Sequence, residues 1–157
     1  MRVGITGHTN LTNGTAAAIY SALVAELLTA GPGLIGVTCL AHGADQLFAH
    51  AVNEVGGAYE VILPAPDYRR VVPLDRRDDY DTLLSRASRV VPTGERRAGR
   101  RAYVAANRIM LSRVDRLLAV WDGHDHGTPG GTADVVTQAR EADLPLKVIW
   151  PAGAERA

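Results

Sequence analysis

The chain has 157 residues, 46% hydrophobic and 22% charged, with 17 basic and 17 acidic side chains in balance and one cysteine. That length gives one domain with a proper core. Zero net charge argues against a dedicated nucleic-acid coat protein, and a lone Cys39 excludes an internal disulfide.

No apolar stretch approaches the roughly 18–20 residues of a membrane span, and the opening residues lack a signal-peptide shape. A cytoplasmic protein with no membrane partner is therefore expected. Charge is unevenly placed along the chain. Asp67–Arg116 holds 13 arginines and 7 acids, a net +6, against 4 basic and 10 acidic residues elsewhere. The excess fits either an anionic partner or solvated helix faces with local ion pairs.

In chain order, Arg2–Gly7 reads as a strand, and Thr15–Thr29 as a helix with Ile19, Leu23 and Leu27 on one face. Gly31-Pro32-Gly33 stops that helix. Leu34–Leu40 reads as a strand, Ala44–Val55 as a helix and Tyr59–Leu63 as a third strand. Tyr80–Ser88 is expected to be helical, Arg89–Val91 a short strand, and the polar Gly94–Arg101 stretch a mobile loop. Ala102–Val114 reads as a helix, Arg116–Trp121 as a strand, Ala133–Ala142 as a helix and Leu146–Trp150 as the last strand. Residues 152–157 look like a frayed tail after a single domain spanning 1–151. Strand and helix alternate without a hairpin signal. That pattern predicts an α/β, Rossmann-like three-layer α/β/α fold with a mainly parallel sheet.

Ligands in such folds bind at the carboxyl ends of the strands, so the loops there are the candidates. After the first strand, Gly7, His8 and Thr9 open backbone N–H groups to an anion, or form a capped turn. After the second, Gly43 permits a tight turn, and Asp45 either complements the helix dipole or holds a ribose hydroxyl. After the fifth, Asp122 sits at a strand end, placed to hold a sugar hydroxyl or orient a water. Gly130, Gly131 and Thr132 open a helix where a phosphate would sit, with an ordinary turn as the alternative. Asn107 and Arg108 flank an apolar helix face, and Arg108 is either a phosphate grip or a solvated side chain. His124 and His126 have no cysteine or third histidine close in sequence, so no metal and no cofactor are expected.

These residues resemble the SLOG superfamily, a Rossmann-like group that includes cytokinin-activating phosphoribohydrolases, Smf-type DNA-processing proteins and YpsA-like proteins. The Tyr103, Asn107, Met110 helix, Asp122-Gly123, Gly130-Gly131-Thr132 and Thr6-Gly7-His8 are most similar to the YpsA-like branch. The Leu40–Asp45 turn is similar to the Gly-x-Asp turn of the Smf-type proteins, and the resemblance runs to about Pro151. It implies a nucleotide-type ligand with its phosphate near Gly130-Gly131-Thr132. There are departures. Ala106 stands where the YpsA-like pattern has Arg, and Val135 where the phosphoribohydrolases have a glutamate. Asp134 falls one residue early, about 100° around the helix.

The leading expectation is a nucleotide-binding domain, acting as sensor or carrier. The alternative is an N-glycosidic hydrolase of nucleoside monophosphates, with Asp122, Asp45 and Asp134 as candidate carboxylates in that order. Single-stranded nucleic-acid binding is the third reading, with Tyr68, Tyr80 and Tyr103 as the aromatics of the basic region. A homo-oligomer through the Ala102–Leu111 helix is possible by analogy.

Overall fold

Parallel strands cannot be joined by tight turns, so each step between neighbours requires a crossover. The computed structural model, which describes residues 1–128 and 130–157, is built from such steps. Its strands are β1 (Arg2–Gly7), β2 (Ile35–Thr38), β3 (Ala58–Leu63), β4 (Arg89–Pro92), β5 (Arg116–Val120) and β6 (Leu146–Ile149). They pair in parallel throughout, in the order β4-β3-β2-β1-β5-β6. The helices are α1 (Asn13–Leu28), α2 (Ala44–Glu54), α3 (Arg77–Arg86), α4 (Arg100–Ser112) and α5 (Thr132–Glu141).

The helices divide between the two faces of the sheet. On one face Ile19, Leu23 and Leu27 of α1 pack with Phe48 and Val52 of α2 and Leu83 of α3. On the other, Ala106 and Met110 of α4 and Val135 and Ala139 of α5 cover Val37, Ile62 and Leu117. This is the expected three-layer α/β/α arrangement. The i, i+4 spacing of Ile19, Leu23 and Leu27 is what gives α1 its buried stripe. Full burial of each contributes about 1.5–3 kcal/mol. No helix among the described residues is long and apolar enough to cross a membrane.

Two polar clasps tie the layers. Glu26 of α1 accepts from Arg116 of β5 at 2.6 Å and from Lys147 of β6. Glu60, buried on β3, accepts from Arg2 of β1 at 2.5 Å and from Arg113 after α4 at 2.8 Å.

Local chemistry moves several boundaries. Thr12 caps α1, its hydroxyl accepting from the Thr15 N–H at 3.3 Å, so the helix begins before Thr15. β2 stops at Thr38, whose hydroxyl accepts the Leu40 N–H at 3.0 Å while Leu40 turns to φ +58°. Two 3-10 turns, Tyr68–Val71 and Leu74–Arg76, lead into α3, which starts at Arg77.

Two expectations are corrected. The polar 94–101 loop ends at Gly99, since Arg100 and Arg101 begin α4, and the Ala98 N–H donates to Asp67 Oδ1 at 2.7 Å. The segment from Ala152 is not frayed. Arg156 bridges Leu11, the Glu155 N–H donates to Thr15 Oγ1 at 2.8 Å, and the Ala157 N–H donates to the Asn10 carbonyl at 2.9 Å.

Candidate functional site

The strand order reverses between β1 and β5, and a crevice opens there beyond the strand ends. It is a cleft of about 390 Å³, partly open to solvent. Its first wall is the turn after β1. Gly7 must be glycine, because a Cβ there would lie 2.5 Å from Ala44 Cβ and 2.8 Å from Val120 Cβ. Gly43, at φ +83°, opens α2, and its own Cβ would strike the His8 carbonyl at 2.6 Å. The two glycines let the β1 turn and the start of α2 close on each other, and the Ala44 N–H donates to the His8 carbonyl at 3.1 Å.

His8 is buried at this junction and lines the cleft. Its Nε2 accepts the Asp122 N–H at 3.0 Å, and its ring meets Trp150 edge-on at 5.6 Å. Burial, then the Arg156 charge, hold its pKa below the ordinary histidine value. The ring is therefore neutral near pH 7, with Nε2 the nitrogen whose lone pair takes the Asp122 N–H.

The second wall belongs to α2. Asp45 is buried at the foot of the cleft, and its Oδ2 accepts the Ala41 N–H at 3.3 Å. Desolvation pushes its carboxyl up to about 7, against hydrogen bonds from Ala41, Cys39 and Thr38. Burial also pushes the neighbouring Cys39 thiol and Tyr68 phenol up, so both stay protonated. Tyr68 meets Tyr103 of α4 edge-on at 6.0 Å, giving the cleft an aromatic side.

The third wall is the β5–α5 loop; Pro129 within it lies outside the described residues. Asn107 of α4 donates to the Gly130 carbonyl at 3.0 Å, and Asp134 Oδ2 accepts the Gly130 N–H at 2.8 Å. The Gly131 N–H donates to the Thr128 carbonyl at 2.9 Å. These bonds hold the glycine pair at the start of α5, whose N-cap, Gly131, makes no side-chain cap. Gly131 offers no side chain to the first amides of α5, which stand beside a positive dipole end.

Asp122 is turned into this loop. Its carboxylate accepts the His124 N–H at 2.9 Å and meets His126 Nε2 at 2.8 Å and His8 Nε2 at 3.3 Å. Arg156 Nη1 lies 3.9 Å from Oδ2. Burial opposes ionisation, but the His124 N–H and His126 hold the carboxyl down at about 2.

Of the residues singled out from sequence, Gly7, His8, Thr9, Asp45, Asn107, Gly130, Gly131 and Thr132 line the cleft. Gly43 stands behind the first wall, while Asp122 and Asp134 are engaged in the loop's own bonds. Arg108 is exposed and does not line the cleft. Sequence reasoning considered His126 and set it aside, yet it meets His8 across 118 positions; it missed Arg156, hidden in the supposed tail. The His-x-His spacing was a signal for the first; nothing local signalled the second.

No protein-family model and no curated protein matches the chain. Solved structures do. DNA processing protein A from Helicobacter pylori, described for its single-stranded DNA binding mode, aligns over 99% of this chain and 68% of its own, at 16% identity and TM-score 0.72. DNA processing protein A from Streptococcus pneumoniae aligns over 97% of this chain but about half of its own, 51%, at 15% identity and TM-score 0.70. A molybdenum cofactor binding protein from the phototrophic bacterium Rippkaea orientalis aligns over 94% and 74%, at 17% identity and TM-score 0.62. At these identities the likeness establishes the shared Rossmann-like fold alone.

Proposed function

We propose that the cleft binds a nucleotide or nucleotide-derived ligand through its phosphate, and that the protein serves as a sensor or carrier of it. The observation that carries this reading is the start of α5, braced by Asn107 and Asp134 and left without a side-chain cap. Phosphate is the ligand such amides hold best. The cleft volume of about 390 Å³ suits a small ligand, and Tyr103 and Trp121 offer flat surfaces to a base. One structural neighbour is a molybdenum cofactor binding protein, which favours a ligand-holding role. A cytoplasmic setting belongs to the same proposal.

Hydrolysis is the weaker reading, because two of its three candidate carboxylates are bonded within the loop. Asp45 alone among them lines the cleft. Single-stranded DNA binding draws support from the H. pylori neighbour and from exposed Arg96, Arg97, Arg100 and Arg101. It loses two of the three tyrosines that could serve as a stacking platform, since Tyr68 and Tyr80 are buried.

A thermal-shift panel of nucleoside mono-, di- and triphosphates, dinucleotides and free phosphate tests the proposal. Ligand at about a hundred times its Kd stabilises by roughly 2.7 kcal/mol, a rise of several degrees. Gly131→Val places a side chain against the Thr128 carbonyl, 2.8 Å from the new Cβ, and is expected to abolish the shift relative to its own midpoint. A flat panel, or an undiminished shift in the variant, would refute this placement.

A further inference from the structure

Three side chains far apart in sequence meet on the cleft wall in a way that nucleotide binding does not require. His8 follows β1, and Asp122 and His126 follow β5. One ligand-type atom from each lies within 4.8 Å of the other two. The two imidazole–carboxylate separations are 3.3 Å and 2.8 Å. Zinc–nitrogen and zinc–oxygen bonds of about 2.0–2.2 Å, tetrahedrally arranged, set ligand atoms roughly 3.3 Å apart. His8 already stands at that spacing from Oδ1, and His126 stands inside it from Oδ2.

We propose that His8, Asp122 and His126 form a binding site for one divalent transition-metal ion of the zinc type. The donor set is two imidazoles and one carboxylate, which zinc accepts readily and magnesium or calcium does not. His8 is already oriented as a ligand, since its Nε2 lone pair faces Asp122 and its ring is fixed against Trp150. On metal entry that lone pair exchanges the Asp122 N–H for the ion. The His124 N–H fixes the carboxylate through Oδ1, which is outer-shell support of the kind metal sites use. His8 and His126 both line the cleft, so the fourth position opens into it, toward water or an anionic oxygen. Arg156, 3.9 Å from Asp122 Oδ2, brings a like charge to the ion and moderates the affinity.

The test uses the full chain freed of metal by a chelator, with zinc followed by calorimetry and cobalt(II) by its visible d–d absorption. No nucleotide is present, so the result stands apart from the nucleotide reading. The expected result is one ion per chain, with cobalt bands of a low-coordinate nitrogen-and-oxygen site. His126 is half-exposed, so His126→Ala should fold normally and lose affinity by roughly tenfold or more. His50→Ala, on α2 outside the cleft and paired with Asp79, should retain wild-type affinity. Absence of stoichiometric binding, or equal affinity in His126→Ala and wild type, overturns the proposal.

Discussion

Asp45 carries the most telling single-residue energetics of the cleft. Its carboxyl lies in the first turn of α2, where the helix dipole favours a charge, yet burial wins and lifts its pKa to about 7. In the unfolded chain the same group titrates near 3.9. Between those values the native state holds a proton that the unfolded state has released, so stability falls as pH rises through the window. Above about pH 7 both states are ionised and the cost is complete, on the order of 4 kcal/mol. Asp45→Asn keeps an acceptor for the Ala41 N–H and removes the charge. The variant is expected to be more stable than wild type at about pH 8 and to flatten the slope between pH 4 and 7. Urea melts across that range check it; an unchanged slope would mean that the carboxyl is solvated. The acid in the first helical turn was legible in the sequence. Its burial was not, because the cleft it lines is shared with Tyr68 and Tyr103, which local pattern cannot bring to α2.

The same divide runs through the elements. Alternating β-branched runs and helical stripes made every strand and helix readable, since each rests on local spacing such as Ile19, Leu23 and Leu27. Elements resting on single side-chain bonds were not: the early stop of β2 depends on one Thr38 hydroxyl, and the two 3-10 turns on short backbone bonds. The final segment is the extreme case. It has no periodicity, and its docking comes from residues 10–15 near the start of the chain. That docking puts Arg156 on the cleft, its guanidinium held by Asn10 Oδ1 at 2.8 Å and 3.0 Å. An arginine so oriented is well suited to a phosphate. Arg156→Gln is expected to weaken binding of phosphate-bearing ligands roughly tenfold or more, the value of one lost charge-assisted hydrogen bond. Binding of the corresponding unphosphorylated nucleoside should change little. Titration of a nucleotide and its nucleoside against both proteins separates the outcomes, and equal losses for the two would assign Arg156 a purely structural role.

At the scale of the molecule, strand order is what makes the site, and strand order is the property that pattern reading reaches last. The alternating pattern implies parallel strands but not which of them are neighbours. Once β1 lies between β2 and β5, the turns after all three converge, and His8, Asp45 and His126 share one cleft. The opposite end of the sheet is built differently. There Glu60 is clamped by Arg2 and Arg113, so that face is closed by ion pairs and strand starts. A ligand in the cleft should therefore stabilise the molecule unevenly. Hydrogen exchange with and without the nucleotide found by the thermal panel is expected to gain protection in residues 7–9, 41–46, 122–134 and 152–157. Amides around Glu60 and Arg113 should change only as far as global stability does, because no ligand contact reaches them. Protection confined to the 94–101 arginines would instead place the ligand on the outer basic surface, and the cleft between β1 and β5 would lose its assignment.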